Sequence, residues 1–67
     1  MFKIGQEWED NSGALYTITS VNSGNRKFPV AADCADDGFE YIFTADGKFY
    51  VTGEDSYWDL VKLVKDV

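Results

Sequence analysis

Residues 38–51 read GFEYIFTADGKFYV, and this stretch decides the predicted fold of the chain. It alternates aromatic and polar residues, breaks at Asp46-Gly47 and then alternates again. Two extended segments joined by an Asp-Gly turn are the strongest short-range signal of a β-hairpin. Because successive side chains of a strand point to opposite faces, Phe39, Tyr41 and Phe43 should share one face. We expect a second strand over residues 49–51, and other segments that cover this apolar ribbon.

Three further segments before the hairpin also predict strands. Residues 2–8 alternate and should bend at Gly5, since glycine inside a strand pattern often marks a bulge or a sharp bend. Residues 14–21, ALYTITSV, are rich in β-branched and aromatic residues, which is typical of a strand. Residues 28–33 contain Pro29, which lacks a backbone donor, so this strand should be an edge there or be bulged. Turn-forming residues separate the strands at 10–13, 22–25 and 34–38.

The C-terminal segment, residues 56–65, fits two structures. Ser56 followed by Asp59 is close to a helix capping box, and apolar residues continue at helical spacing. The same residues, in LVKLV, also fit a strand that pairs with the N-terminal strand. We favour one helical turn over residues 56–59 followed by a strand over 60–64, with a full helix as the alternative. The strand would complete a small barrel and remove an exposed edge.

The composition indicates one small domain, residues 1–67, that depends on aromatic burial for stability. At this length the balance of apolar burial against chain entropy is close to zero. Cys34 is the only cysteine and histidine is absent, so the chain can form neither an internal disulfide nor a usual zinc site. Two tryptophans, four tyrosines and five phenylalanines must therefore supply the core. Both a monomer and a homodimer fit these observations.

A net charge of −6, from twelve acidic and six basic residues, limits the classes of partner. Direct binding to nucleic acid or to an anionic membrane needs clustered Lys and Arg, which this chain does not have. The charge fits either a basic protein partner or simple solubility. No apolar run reaches the ~18 residues of a membrane span, and residues 1–5 do not resemble a signal peptide. With a lone cysteine, the expected location is the cytoplasm.

No group of residues predicts catalysis, a cofactor or a metal site. The acidic pairs, at positions 7 and 9, 36 and 37, and 54 and 55, fall in predicted turns or on solvent-facing positions, unlike paired catalytic carboxylates in an apolar pocket. Asp33, Asp36, Asp37 and Glu40 do not have the spacing of a calcium loop, although an incidental weak cation site is an alternative. Cys34 has no neighbouring base or positive charge to activate it. We expect a protein that is not an enzyme.

Exposed aromatic residues are the remaining candidates for function. Aromatic side chains between loops can bind peptides or alkylated ammonium groups. They can equally cover the ends of a barrel too small to close itself. The residues near turns, or on the less apolar side of a strand, are Trp8, Tyr16, Tyr50, Tyr57 and Trp58.

The order FKIGQEW, ITSVN, FPVAAD, FTADGKFYV and WDLVKLV resembles a diffuse group of small proteins encoded by tailed phages and prophages. The resemblance covers nearly the whole chain and rests on order and spacing. It implies a five-stranded SH3-like barrel, a location in the cytoplasm of an infected or lysogenic bacterial host, and action on host machinery. Many members carry a glycine-rich aromatic turn after the first strand, where this chain has the acidic residues 7–11.

Together, these observations predict an all-β, five-stranded SH3-like barrel that acts as a non-catalytic phage or prophage accessory protein. It would bind a host or phage protein with a basic surface, and it could inhibit a host function. Aromatic anchors within a charged rim are the usual anatomy of binding hot spots. The alternative is a minor structural or self-associating component of the phage. The predicted partner-binding residues are Glu7, Trp8, Glu9, Asp10, Asp36, Asp37, Glu54 and Trp58.

Overall fold

The computed structural model describes residues 2–67, which form five antiparallel strands in one sheet and contain no helix. The all-β prediction is thereby confirmed. The strands lie in the order β4-β3-β2-β1-β5 across the sheet. Their bounds are Glu7–Asp10 for β1, Leu15–Ser20 for β2, Val30–Cys34 for β3, Glu40–Phe43 for β4 and Leu60–Lys65 for β5.

Strand β2 lies within the predicted residues 14–21. Tyr16 and Ile18 are buried, while the alternating Thr17 and Thr19 are exposed. This is the period of two that a strand with one covered face requires. Tyr16 and Ile18 therefore anchor the middle of the sheet.

Of the two alternatives predicted for the third strand at Pro29, an edge or a bulge, the edge is wrong. Strand β3 begins one residue later, at Val30, and pairs with β2 on one side and β4 on the other. Pro29 lies just before the ladder, so its missing N–H interrupts no strand hydrogen bond. The ladder between β2 and β3 does contain a register shift: Ile18 pairs with Ala32, but Ser20, two residues on, pairs with Ala31.

The first strand is displaced from its predicted position. Residues 2–8 were expected, but β1 runs from Glu7 to Asp10. The expected bend at Gly5 is present, with a positive φ of 94°. It belongs to a turn in which the Gln6 N–H donates to the Lys3 carbonyl. The residues before this turn fold back, and the ring of Phe2 lies 4.6 Å from that of Trp8.

Only the first half of the predicted hairpin is correct. Strand β4 and the Asp-Gly turn form: Gly47 N–H donates to Thr44 C=O, and Thr44 N–H donates to Lys48 C=O. The second strand, expected over residues 49–51, is absent. The N–H of Phe49 donates to the Asp59 carboxylate at 2.8 Å, so it is not available to a ladder. A side chain eleven residues beyond the turn's end thus prevents the hairpin from continuing.

Strand β5 confirms the extended interpretation of the C-terminus. It pairs antiparallel with β1, as predicted. The predicted removal of an exposed edge is wrong, because among residues 2–67 β5 has no ladder partner on its other side. The helical turn over residues 56–59 is replaced by a hydrogen-bonded turn. Its side chains bond as in a capping box: Trp58 N–H donates to Ser56 Oγ, and Ser56 N–H donates to Asp59 Oδ2. The local chemistry was predicted correctly, but no helix follows it.

The sheet encloses a core and brings its two ends together. The N–H of Leu60, at the start of β5, donates to the carbonyl of Gly47 after β4. In the part of the chain described, no ladder joins β4 to β5, so both remain edge strands. The buried core consists of Tyr16, Ile18, Val30, Ala32, Cys34, Phe43 and Leu60.

Candidate functional site

The largest group of exposed aromatic side chains lies on residues 48–59, which connect β4 to β5 and which we call the aromatic loop. Tyr57 is 75% exposed, Trp58 46% and Tyr50 43%. Much of the apolar surface of these large rings is not covered by the core, so it is available to a partner. The loop has no regular secondary structure, so side-chain contacts must hold it in place.

Asp59 is the side chain that holds the aromatic loop. Its Oδ1 accepts the Phe49 N–H at 2.8 Å, and its Oδ2 accepts the Ser56 N–H at 2.9 Å. The Lys48 ammonium lies 3.3 Å from Oδ2. Burial alone would raise the pKa of Asp59, but these hydrogen bonds and the lysine charge outweigh it and hold the pKa below its ordinary value. The two ends of the loop are therefore fastened to one ionised carboxylate.

Further hydrogen bonds fix the middle of the aromatic loop. Asn11, in the turn between β1 and β2, donates its side-chain amide to the Ser56 carbonyl at 2.9 Å. Lys48 donates to Asp55 at 2.8 Å. The hydrogen bond to Asp55, and then that to Asp59, raise the pKa of Lys48, which keeps the ammonium charged. The loop is thus tied both to itself and to the neighbouring turn.

The ring of Phe49 connects the exposed aromatic residues to the core. Its centroid lies 6.4 Å from that of Phe43, which is fully buried. It also lies 5.4 Å from the Tyr50 ring and 5.0 Å from the Trp58 ring. Edge-to-face and tilted contacts at these distances are favourable. The exposed rings of Tyr50 and Trp58 therefore rest on a fixed internal ring.

Two open pockets lie on this surface and share the side chain of Tyr50. The first, which we call the polar pocket, has a volume of about 530 Å³. The second, which we call the apolar pocket, has a volume of about 560 Å³. The polar pocket is lined by Asn11, Tyr50, Asp55, Ser56, Tyr57 and Trp58; the apolar pocket by Phe28, Glu40, Tyr41, Ile42, Phe49, Tyr50 and Val51.

The structure separates Trp8 from the two glutamates that flank it in sequence. Trp8 packs against the core cluster, and its indole N–H donates to Gln6 Oε1 at 3.0 Å. Glu7 and Glu9 alternate with Trp8 along β1, so their side chains project from the opposite face of the strand. They lie opposite Lys65 and Lys62 of β5. Trp8 and these acids therefore do not form one surface.

Asp10, also among the predicted binding residues, is buried at 1% exposure. Its Oδ1 accepts the backbone N–H groups of Ser12 and Ala14 and the Ser12 hydroxyl. Its Oδ2 accepts the Tyr16 hydroxyl at 2.9 Å. Burial, and then the hydrogen bond to Asp10, raise the pKa of the Tyr16 phenol. One Asp10 oxygen holds the turn between β1 and β2 and the other holds Tyr16 of β2, which gives this residue a structural role.

Asp36 and Asp37 lie in the exposed turn between β3 and β4. The Asp37 carboxylate accepts the Tyr41 hydroxyl at 2.5 Å and the Phe39 N–H at 2.8 Å. The hydrogen bond from Tyr41 lowers the pKa of Asp37, and the same bond raises that of Tyr41. Because Tyr41 lines the apolar pocket, Asp37 positions one of its walls. Glu54 and Trp58, the last two predicted residues, lie on the aromatic loop.

The predicted residues therefore fall in three places, and the pockets use several residues that sequence reasoning did not select. Phe28, Ile42 and Phe49 line the apolar pocket, but the sequence predicts them only as strand residues. Asp59 lines neither pocket but holds the aromatic loop, and the sequence predicts it only as a helix cap. An acid at the capping position was the available signal for Asp59, but its bond to Phe49 spans ten residues and has no local pattern. Tyr50 and Tyr57 were among the aromatic candidates.

Several kinds of site do not occur among the described residues, and the comparisons add no assignment. Within residues 2–67, no three acidic or cysteine side chains converge to hold a metal ion, and no helix is long and apolar enough to cross a bilayer. Cys34 is a free thiol buried in the core. Comparison with protein-family models, curated proteins and solved structures found no match.

Proposed function

We propose that this chain is a non-catalytic accessory protein that binds another protein through the aromatic loop. The observation that carries this proposal is that Tyr50, Tyr57 and Trp58 are exposed together on a loop fastened by Asp59. Exposed rings that are already fixed lose little conformational freedom when a partner covers them. Aromatic anchors of this kind supply most of the energy of protein interfaces.

The charge around the aromatic loop supports a partner with a basic surface. Glu40 lines the apolar pocket, Asp55 lines the polar pocket, and Glu54 lies beside Asp55 in the loop. The protein as a whole carries a net charge of −6. Complementary charge accelerates encounter and suppresses wrong partners. The same charge argues against direct binding of nucleic acid.

The resemblance to small phage and prophage proteins supports a bacterial host protein, or another phage protein, as the partner. On this proposal the chain acts in the cytoplasm of the infected or lysogenic cell. Covering a basic surface of a host protein is a direct way to inhibit it without catalysis. An acidic surface can also occupy a groove that otherwise binds nucleic acid.

Site-specific photo-crosslinking in bacterial cells tests the proposal. A photoreactive phenylalanine analogue at Tyr57 should capture a defined protein, because this side chain is 75% exposed on the proposed surface. The matched control carries the same analogue at Val21, which is exposed after β2 and lines neither pocket. Capture of the same proteins from both positions, or from neither, would contradict the proposal.

A second candidate is self-association through β5, which one observation favours. This edge strand exposes Val61, Leu63 and Val64, and unpaired edges readily accept another strand. The edge predicted at residues 28–33 is not available, because β3 is paired on both sides. Sedimentation from about 10 μM to about 1 mM would show a dimer that Val64→Lys removes and Val21→Lys retains. A monomer throughout this range excludes the candidate.

A further inference from the structure

We propose that the polar pocket is a cation site that takes an arginine side chain of the partner, while the apolar pocket takes a large apolar side chain beside it. This inference rests on the proposed function and names the chemistry that the surface recognises. Tyr50 lines both pockets, so the two adjoin at this residue. One extended segment of a partner could therefore fill both at once.

The lining of the polar pocket suits a cation. Three aromatic side chains, Tyr50, Tyr57 and Trp58, meet there with the carboxylate of Asp55. Aromatic faces attract cations, tryptophan most strongly, and a planar, weakly hydrated guanidinium stacks on them more readily than an ammonium does. An apolar ligand would remove water from Asp55 without giving its Oδ2 a hydrogen-bond donor, which is unfavourable. The combination of rings and carboxylate thus selects positive charge.

The protein's own lysine leaves this negative charge only partly neutralised. Lys48 donates to Oδ1 of Asp55 and also contacts Asp59, so one ammonium serves two carboxylates. The Asp55 side chain remains 94% exposed. Within residues 2–67, its Oδ2 accepts no hydrogen bond. A guanidinium entering the polar pocket can donate to this oxygen without displacing Lys48.

The contact of both pockets with Tyr50 suits an extended partner segment. Side chains two residues apart in a strand point the same way, about 6.6 Å from each other. This separation is about the length of one tyrosine ring. Because Tyr50 is the single residue shared by the two pockets, two such side chains could lie on either side of it. The apolar pocket presents Phe28, Ile42 and Val51 among its lining residues. The motif that fits is therefore an arginine followed two positions later by a leucine or a similar side chain.

Titration of the ¹⁵N-labelled protein with short capped peptides tests the site. The probe is acetyl-Ala-Arg-Ala-Leu-Ala-amide, and the matched control replaces arginine by citrulline, a neutral molecule of nearly the same shape. We expect the arginine peptide to shift the Trp58 indole and the Ser56 and Tyr57 amide signals, and to bind about tenfold more tightly than the citrulline peptide. The Trp8 indole, bonded to Gln6, serves as an internal reference that should not move.

Two charge variants separate a local site from general attraction. Asp55→Asn removes the carboxylate that lines the polar pocket, whereas Glu54→Gln removes an equal charge from the neighbouring residue outside it. We expect Asp55→Asn to abolish the preference for arginine over citrulline and Glu54→Gln to retain it. Equal binding of the two peptides, no binding of either, or an equal effect of the two variants would overturn the cation site.

The two experiments distinguish failure of the cation site from failure of the proposed function. If the Tyr57 crosslink captures a partner but the arginine peptide shows no preference, protein binding stands and the cation site is wrong. If the arginine peptide shifts the Trp58 indole but Tyr57 captures nothing in cells, the cation site stands and the proposed function fails.

Discussion

At Asp10, four hydrogen bonds meet on one buried carboxylate and set the turn between β1 and β2. Asp10→Ala removes all four, so we expect the free energy of unfolding to fall by about 3 kcal/mol. Asp10→Asn keeps one acceptor oxygen and should lose about 1–2 kcal/mol. Tyr16→Phe removes only the bond to Oδ2 and should lose about 1 kcal/mol. Urea unfolding measures all three. A loss for Asp10→Ala no larger than that for Tyr16→Phe would show that the turn bonds contribute nothing.

At Asp59, a lowered pKa predicts how stability depends on acidity. The pKa of this carboxyl lies below its ordinary 3.8, so the folded state binds the proton less tightly than the unfolded chain. Its contribution is therefore present above about pH 4, the unfolded pKa, and is lost as the pH falls through the folded value. Thermal unfolding followed by circular dichroism should show this decline.

We expect Asp59→Asn to be less stable than the wild type at pH 7 and to lose less stability below pH 4. Asp37 and Asp66, whose pKa values are also lowered by hydrogen bonds from Tyr41 and Gln6, should keep part of the acid dependence. Asp46→Asn removes the same chemical group from an exposed position and is the matched control. Identical acid profiles for the two variants would contradict the role given to Asp59.

At the scale of elements, the turn after β4 depends on glycine for two separate reasons. Gly47 has a φ of 82°, and a Cβ there would lie 2.5 Å from the ring of Phe2. Gly53 has nearly the same φ, 81°, but a Cβ there would meet nothing within 4 Å. Alanine at either position strains the backbone by about 1 kcal/mol, and at Gly47 it must also displace Phe2, for a total of about 2–3 kcal/mol.

Chemical denaturation of Gly47→Ala and Gly53→Ala measures the difference between them. The Phe2→Ala background should bring the two losses closer together, because the clash is then removed. Equal losses in the wild-type background would mean that Phe2 does not pack on this turn.

Elements set by local pattern could be predicted from the sequence, and those set by distant contacts could not. The β-branched and aromatic residues of segment 14–21 predicted β2, and the Asp-Gly turn predicted the end of β4. Beyond that turn the pattern still alternates, yet Phe49 bonds to Asp59 and the strand does not form. The alternating pattern shows that residues 49–51 could form a strand. The Asp59 carboxylate prevents this, because it takes the Phe49 N–H that a ladder would need.

The sequence indicated which types of residue form the candidate site, but not where in the fold they come together. Exposed aromatics beside acids were expected, and Trp58 and Glu54 do lie on the aromatic loop. Trp8 looked similar in sequence, but alternation along β1 sends Glu7 and Glu9 to the opposite face. The polar pocket needs Asn11 from one turn and Tyr57 from a loop far along the chain. Such convergence depends on the register in which β1 pairs with β5, which includes two register shifts that no local motif specifies.

For the whole molecule, a net charge of −6 on 7.5 kDa predicts opposite effects of salt on stability and on binding. Repulsion among the acids opposes folding, and about 0.3 M NaCl reduces the screening length to less than 10 Å. We therefore expect the melting temperature to rise by a few degrees between about 10 mM and about 300 mM NaCl. Affinity for a basic partner should fall over the same range, because screening weakens charge attraction.

A charge variant separates these effects from the general influence of salt on apolar burial. The double variant Asp36→Asn, Glu54→Gln removes two exposed charges and leaves both pockets' lining residues intact. Its melting temperature should respond less to NaCl than that of the wild type, since less repulsion remains to be screened. If the wild type instead melts lower in salt, attraction at ion pairs such as Lys48–Asp55 outweighs repulsion. In that case the negative charge of this protein would not oppose its folding, and the acids near the aromatic loop would stabilise it through their ion pairs with Lys48.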